Sequence, residues 1–225
     1  MSTVIVLAKA PVPGRVKTRL CPPFTPEEAA ELAAAALSDS LGIAAAAAAD
    51  HRLLVLDGEP DFELRLAYLD AGFIREPQVT GTLDVRIAAA FADAARLDPG
   101  PALLIGMDTP QASASVLDDA LAAMTVRPGH DAAFAPAEDG GFWALGLREP
   151  AHPRTAALLL GVPMSRSDTG AVQLRRLEQA GLDVLHLPML RDVDTADCAY
   201  AAAELAPDTA FARRLAGIDA RMRSA

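Results

Sequence analysis

The chain has 225 residues, with 20 Lys and Arg against 30 Asp and Glu, so its formal net charge at pH 7 is −10. This acidity argues against non-specific binding of long nucleic acids, because phosphate contacts need cations. The two cysteines, Cys21 and Cys198, are too few for a disulfide framework, and neither has Cys or His neighbours at the spacing of a zinc site.

Apolar runs of strand length alternate with helical stretches along the chain. Residues 3–8 predict a buried first strand, and Thr25, Pro26 and two following glutamates predict a helix capped by Thr25 that runs to Leu41 or beyond. Further strands are predicted over 51–56, 102–105, 131–135, 142–147 and 184–187, and further helices over 61–71, 83–97, 115–124, 169–180, 195–205 and 208–223. This alternation predicts an α/β fold with a mostly parallel sheet and helices on both faces.

The organisation along the chain predicts a single domain over residues 1–225, in which residues 206–225 form a C-terminal helical appendage. A charged loop follows a first apolar run that is too short for a signal peptide. The alanine-rich stretch 29–49 contains Glu31 and Asp39, which favours a soluble helix over a membrane span. The expected location is therefore the cytoplasm.

The loop after the first strand, KAPVPGRVKTRL at residues 9–20, concentrates positive charge in an acidic chain. It lacks the glycines of a dinucleotide fingerprint or a P-loop. In extended backbone, alternate residues face one side, so three cations would grip a pyrophosphate or triphosphate together. The alternative is a solvated basic loop. The candidate phosphate-binding residues are Lys9, Pro13, Gly14, Arg15, Lys17 and Arg19.

Acidic residues follow two of the predicted strands. Asp108 comes directly after the strand 102–105, and Asp192 and Asp194 follow the strand 184–187. Mg²⁺ and Mn²⁺ prefer such oxygen ligands. If the two strands were neighbours, these carboxylates would hold one metal from two sides. The alternative is that Asp108 and either Asp194 or Thr195 cap the helices that follow.

A fourth polar motif, Asp139-Gly140-Gly141, precedes the strand 142–147. The glycines allow a close backbone approach to a ligand, and Asp139 is a candidate base or a partner for a sugar hydroxyl. The alternative is a plain hairpin turn. The aromatic pair Phe142 and Trp143 fits the core better than a wall against a ring, and Asp168 is expected to cap the helix 169–180.

Taken together, these motifs resemble a family of bacterial GT-A-type glycosyltransferases, some associated with arsenosugar biosynthesis. The resemblance covers residues 3–205 and includes the loop 9–20, Gln78-x-x-Gly81-x-Leu83-x-x-Arg86, the strand-end aspartates and Asp139-Gly-Gly-Phe. It implies the Rossmann-like nucleotide-diphospho-sugar transferase fold, shared with molybdenum-cofactor and phospholactate guanylyltransferases. One departure is Asp84, where the family more often has glycine; Arg86 matches.

The resemblance implies that the first-strand loop meets nucleotide phosphates and that Asp108 and Asp194 hold a divalent metal, Mg²⁺ or Mn²⁺. It favours a metal-dependent glycosyltransferase with a nucleotide-diphospho-sugar donor. The cationic loop itself fits a triphosphate, which supports a guanylyl- or cytidylyl-type nucleotidyltransferase as the alternative. In either role Lys17 and Asp139 are the candidate catalytic residues.

The third hypothesis is that the protein is a non-catalytic nucleotide-binding module. The expected partners are a nucleotide sugar or nucleoside triphosphate and a small-molecule acceptor, without a nucleic acid polymer or a membrane span. A homodimer is left open.

Overall fold

The computed structural model describes residues 1–224; position 225, the end of the predicted appendage, lies outside the described residues. The strands are β1 (Thr3–Lys9), β2 (His51–Asp57), β3 (Ile74–Pro77), β4 (Ala102–Ile105), β5 (Ala132–Pro136), β6 (Phe142–Leu147) and β7 (Val184–His186). The helices are α1 (Pro26–Ala46), α2 (Phe62–Asp70), α3 (Leu83–Leu97), α4 (Ala114–Thr125), α5 (Thr155–Leu159), α6 (Thr169–Gln179), α7 (Ala196–Leu205) and α8 (Ala210–Ser224).

The strands form one sheet in the spatial order β3-β2-β1-β4-β6-β5-β7. β6 runs antiparallel to both of its neighbours, β4 and β5, while the other pairs are parallel. The reversal follows from the short Asp-Gly-Gly turn that joins β5 to β6, since a tight turn can only connect antiparallel strands. The predicted α/β fold with a mostly parallel sheet is therefore confirmed. The carboxyl ends of β1, β4 and β5 meet at one edge.

Both faces of the sheet are buried, as the continuous apolar run of β1 indicates. Val4 and Val6 point into a core shared with α1, α2 and α4, whereas Ile5 points into a core shared with α3, α5 and α6. We call these the α1 face and the α3 face. The loops that carry the site residues belong to different faces.

A third apolar cluster lies outside the sheet, where α8 packs on α1 and α7. Phe211, Leu215 and Ile218 of α8 meet Leu20 of the loop after β1 and Val193 of the segment after β7. The carboxylate of Asp39 on α1 accepts the first two amides of α8, at 2.8 Å each. The predicted C-terminal helix is therefore tied to the first helix; the division into a single domain with an appendage remains a prediction.

Most predicted elements agree with the structure within two residues at either end. α1 extends beyond residue 41 to Ala46 and begins with a capping box between Thr25 and Glu28. Two short elements were not predicted. β3 is a half-exposed edge strand that ends at Pro77, and α5 has a single turn, so neither produces a long apolar pattern.

Helix α1 is also long and apolar enough to cross a membrane, judged by length and composition alone. In the structure, 56% of its most apolar stretch is buried inside the protein. This burial is typical of the core helix of a folded domain, so the helix is weak evidence for a membrane span.

Candidate active site

A cleft with a volume of about 670 Å³ opens at the carboxyl edge of the parallel strands. This edge is where ligands bind in open α/β sheets. All four polar motifs from the sequence contribute residues to its lining. Six cationic and four acidic side chains line it, so the cleft is locally basic in a protein whose formal net charge is −10.

The loop between β1 and α1 does not have the predicted extended backbone. Residues 13–16 form turns, Lys17 has a left-handed φ of 50°, and a short 3₁₀ helix follows over Thr18–Leu20. Val16 and Leu20 are buried and act as apolar anchors, which curls the chain between them. The prediction that alternate residues face one side is therefore wrong, although Arg15, Lys17 and Arg19 all still line the cleft.

Lys17 lies at the centre of the cleft and its side chain is only 7% exposed. Its Nζ atom is 2.6 Å from Oδ1 of Asp108 and also donates to the carbonyl of Val193. The ammonium therefore joins the ends of β1 and β4 to the segment after β7. Because its acceptors are fixed, Lys17 is preoriented to meet a phosphate oxygen that enters beside Asp108.

Arg19 forms the outer part of this charged group. Its guanidinium lies 2.5 Å from Oδ2 of Asp194, and this hydrogen-bonded carboxylate raises the pKa of Arg19. The Arg19 side chain is largely exposed, so it reaches the mouth of the cleft.

The other candidates in this loop divide into two groups. Lys9 and Arg15 line the cleft, and neither has a carboxylate partner among the residues that the structure describes. Pro13 and Gly14 lie in an exposed turn outside the lining, so their prediction as ligand contacts is not supported. Gly14 has a φ of 72°, which gives it a conformational role.

Asp108 follows β4 and lies within the cleft, six residues before α4 begins at Ala114. It therefore does not cap that helix, and the alternative interpretation of Asp108 is wrong. Its buried Oδ1 atom pairs with the Lys17 ammonium and has no other partner among the described residues. A buried anionic oxygen of this kind suits a cation.

β4 and β7 are not neighbours, because β7 pairs with β5 at the far edge of the sheet, so the condition set for a shared metal is not met by the strand order. The acids still meet, because the chain after β7 turns back along the edge. The amide of Val193 donates to the carbonyl of Asp108 at 2.8 Å, which brings Asp192 and Asp194 into the cleft beside Asp108. Thr195, and not Asp194, caps α7 through a bond from the Cys198 amide.

These acids offer a divalent metal oxygen ligands of the type that Mg²⁺ and Mn²⁺ prefer. Burial raises the pKa of Asp192 above its ordinary value; the charge of Asp139 acts in the same direction and that of Lys17 opposes it. Within the described residues, no three His, Cys, Asp or Glu side chains form a ready metal-binding group. A metal at these acids would need phosphate oxygens and water as its remaining ligands, and the metal roles remain predictions.

The turn between β5 and β6 is both a hairpin turn and part of the cleft lining. Asp139 and Gly141 line the cleft, and the Asp139 carboxylate accepts the Gly141 amide at 2.7 Å. Gly140 lies outside the lining. A Cβ atom there would lie 1.9 Å from the carbonyl oxygen of Ser167, so this glycine serves close backbone packing and not ligand contact.

The aromatic pair after this turn packs in the core, as the sequence favours, and both side chains also contribute to the cleft lining. Trp143 packs in the α1-face core and Phe142 against the α3-face core, because neighbouring strand residues point to opposite faces. Trp143 Nε1 donates to the carbonyl of Pro188 at 3.0 Å, which supports the segment that carries Asp192.

Arg86, on α3, lines the cleft from the α3 face. Its guanidinium donates to Asp57 at 2.9 Å and to Gln78 at 3.2 Å, so its direction is fixed. Asp84 is buried and lies outside the lining, where it accepts the Thr82 hydroxyl and the Gly161 amide. These hydrogen bonds lower the pKa of Asp84.

One group of lining residues was missed. Residues 164–167, between α5 and α6, bring Ser165, Arg166 and Ser167 to the cleft. In the polar run 165–169 before α6, the sequence indicates only a helix cap at Asp168. Asp168 does occupy the N-cap position, but its carboxylate binds Arg166 and no helix amide. A cation two residues before a capping acid is a local signal that could have revealed this pairing.

Comparison with solved structures confirms the fold. A candidate nucleotide-diphospho-sugar transferase from Desulfovibrio desulfuricans G20 is 26% identical, with a TM-score of 0.85 over 99% of this chain and 97% of that one. CMP:2-keto-3-deoxy-manno-octonic acid synthetase in complex with CTP has a TM-score of 0.55 at 13% identity, over 92% and 100% of the two chains. A Mycobacterium tuberculosis H37Rv protein in complex with manganese has a TM-score of 0.50 at 20% identity, over 90% and 98%.

The first two of these relatives are transferases or synthetases that handle nucleotides by name, and the predicted transferase fold is thereby confirmed. No curated protein matches the chain significantly by sequence. A family model described as an uncharacterized protein conserved in bacteria, DUF2064, matches residues 40–166, which is more than half of the chain. The suspected relationship to a bacterial family with this transferase fold holds, and the chain belongs to the DUF2064 family.

Proposed function

We propose that this protein is a metal-dependent nucleotidyltransferase that joins a nucleoside triphosphate to a small phosphorylated substrate and releases pyrophosphate. The observation that carries the proposal is the presence of cations on both sides of one cleft. Arg15 and Arg19 come from the loop on the α1 face, Arg86 and Arg166 come from the α3 face, and Lys9 is the last residue of β1. Two separate cationic walls suit two phosphorylated substrates.

In this proposal the triphosphate lies along the loop after β1. Lys9 and Arg15, which have no carboxylate partner in the described chain, bind its outer phosphates. Lys17 and Arg19 meet the oxygens on which negative charge grows as the bond to the leaving group breaks. A divalent metal held by Asp108 and Asp194, with Asp192 beside them, neutralises the phosphates when bound.

The transfer itself needs little covalent chemistry from the protein. An oxygen of the substrate phosphate attacks the α-phosphorus, the bond from that phosphorus to its bridging oxygen breaks, and pyrophosphate leaves with the electron pair. The attacking phosphate is already an anion, so no general base is required. The protein contributes position and positive charge.

Glycosyl transfer is the second candidate, and two observations favour it. The relative at 26% identity is described as a candidate nucleotide-diphospho-sugar transferase. Asp139 also lines the cleft near Asp192, where it could remove a proton from an acceptor hydroxyl. In that reaction a nucleoside diphosphate leaves the sugar carbon and Asp139 is essential.

The two reactions release different products, which makes the test direct. The protein is incubated with each nucleoside triphosphate, Mg²⁺ and a set of sugar phosphates, and pyrophosphate is measured; a parallel set uses nucleotide-diphospho-sugars and Mn²⁺. We expect pyrophosphate release only when a phosphorylated acceptor is present. We expect Asp108→Asn to lower the rate at least about 100-fold, because it removes a carboxylate from the metal group.

Asp139→Asn separates the candidates further. Nucleotidyl transfer predicts a small loss, whereas glycosyl transfer predicts a loss of about 100-fold or more, because a base is removed. Asp119→Asn, at an exposed position of α4 outside the cleft, is the matched control. Release of nucleoside diphosphate without pyrophosphate would establish the second candidate, and nucleotide binding unaffected by metal and by Asp108→Asn would leave a binding module.

The setting of the reaction is proposed on the same basis. The substrates are small phosphorylated molecules, because the cleft is too small for a polymer and the chain is acidic overall. The cytoplasmic location remains a prediction from the sequence.

A further inference from the structure

The wall of the cleft on the α3 face has a distinct composition. Residues 164–167 line it, between α5 and α6, and both of these helices pack into the α3-face core. The loop after β1 is anchored by Val16 in the α1-face core. The two cationic walls therefore rise from opposite faces of the sheet, with Asp108 after β4 and the acids of the returning segment after β7 between them.

The backbone of this segment is held in one conformation. Ser165 has a left-handed φ of 58°, which is uncommon for a residue other than glycine. The Thr169 hydroxyl donates to the Pro163 carbonyl at 2.8 Å and accepts the Arg166 amide at 3.1 Å. The Gly170 amide donates to the Gly140 carbonyl at 2.8 Å. These contacts fix the direction in which residues 165–167 present their side chains.

The side chains of the segment offer hydrogen-bond donors to the cleft. Asp168 accepts from Nε and Nη2 of Arg166, at 2.9 and 3.1 Å, which orients the guanidinium and leaves Nη1 without an acceptor among the described residues. The hydroxyls of Ser165 and Ser167 have no partner in the part of the chain that the structure describes. One oriented guanidinium between two hydroxyls is the donor set that recognises a phosphate monoester.

We propose that residues 165–167 bind the phosphate monoester of the second substrate. This inference rests on the proposed nucleotidyl transfer and names the place of the attacking substrate. The phosphate at residues 165–167 would face the triphosphate on the opposite wall, with Asp108, Asp192 and Asp194 between the two. A neutral hydroxyl acceptor would not require such a site.

The test measures two kinds of binding to the intact protein by calorimetry with Mg²⁺. Inorganic pyrophosphate occupies the wall after β1, and inorganic phosphate is then titrated into the pyrophosphate-saturated protein. We expect Arg166→Gln to weaken phosphate binding at least about tenfold, because one charged hydrogen bond is lost, and to leave pyrophosphate binding unchanged. The double variant Ser165→Ala, Ser167→Ala should weaken phosphate binding severalfold.

Two controls make the result specific. Arg175→Gln, at an exposed position of α6 without a partner in the described chain, should change neither affinity. Arg15→Gln should weaken pyrophosphate binding alone. Arg166 is exposed, so the thermal midpoint of its variant should equal that of the parent protein.

The proposal is overturned if phosphate does not bind the pyrophosphate-saturated protein, if Arg166→Gln binds it as the parent does, or if Arg175→Gln loses as much. Failure of the proposed function looks different. In that case nucleoside triphosphates do not compete with pyrophosphate, while the loss in Arg166→Gln remains.

Discussion

The two walls of the cleft are built by different means. The wall after β1 depends on apolar packing: Leu20 lies in the cluster that α8 completes with Phe211 and Ile218. The wall at residues 164–167 depends on close backbone approach. Cβ atoms added at Gly140 and Gly170 would lie 1.9 and 2.3 Å from the nearest backbone oxygens.

This difference determines how each wall can fail. When a side chain in an apolar cluster is shortened, the free energy of unfolding falls with the volume of the cavity that remains after the neighbouring side chains relax. Where two backbone segments are in contact, the loss of stability is not graded in this way, since a single added Cβ atom can be accommodated only if one of the two segments moves. We therefore expect gradual loss at the first wall and abrupt loss at the second.

The largest effect is expected for Gly140→Ala. The new Cβ atom meets the Ser167 carbonyl at 1.9 Å, and the φ of 89° is unfavourable for alanine. We expect a loss of about 4 kcal/mol in the free energy of unfolding, measured by urea denaturation, together with weaker phosphate binding.

Gly14→Ala is the matched control on the other wall. It has a φ of 72°, but a Cβ atom there has nothing within 4 Å. Its loss should be about 1 kcal/mol, from backbone strain alone. Equal losses in the two variants would contradict the role assigned to backbone contact.

The next effect is expected for Ile218→Ala, in the buried cluster behind the first wall. Removing three carbon atoms from a closed core should cost about 3 kcal/mol. Because the same cluster holds Leu20 and Val193, pyrophosphate and Mn²⁺ should also bind more weakly. Calorimetry at a temperature where the variant remains folded measures both affinities.

Leu121→Ala, in the core between α4 and the sheet, separates positioning from stability. It should lose similar stability with little change in either affinity. If the two variants lose affinity equally, the cluster behind the first wall has no special connection with the site.

The smallest effect concerns Asp84, which links α3 to the Gly161 amide near the start of the second wall. The folded carboxyl has a lowered pKa, so its stabilising effect is complete above the unfolded value of about 3.9 and is lost as the pH falls through the folded value. Asp84→Asn should therefore cost about 1 kcal/mol at pH 7.

The pH dependence is the diagnostic part of this prediction. The difference in thermal midpoint between Asp84→Asn and the parent should narrow below about pH 4. Asp93→Asn, which breaks a surface pair with Arg96 on the same helix, should change the midpoint little at either pH. If the difference in thermal midpoint between Asp84→Asn and the parent stays constant with pH, the ionised carboxylate of Asp84 is not the source of the stabilisation.

The sequence predicted regular structure better than loops, for a physical reason. The period of apolar residues set α3, β4 and β6 at their observed bounds. The spacing of the cations predicts an extended loop after β1, whereas the burial of Leu20 depends on α8, far away in the chain. The pattern of residues within a short window cannot reveal contacts with distant parts of the chain.

The candidate site followed the same rule. Lys17, Arg19, Asp108, Asp139, Asp192 and Asp194 were predicted from strand ends and do line one cleft. The sequence offers adjacent strands only as a condition for bringing the acids together, and the structure uses the turn back of the chain after β7 instead, which has no local signature. Residues 164–167 were missed, since their position depends on the approach of Gly140 and Gly170.

The contact between Lys17 and the Val193 carbonyl joins positions 176 residues apart. During synthesis on the ribosome, the basic loop emerges early, while Asp192 and Asp194 appear only when most of the polypeptide has been made. A nascent chain therefore carries the cations of this loop well before it has a complete set of carboxylates. Any reaction that needs both must wait for the last part of translation, so incomplete products released early should be inert.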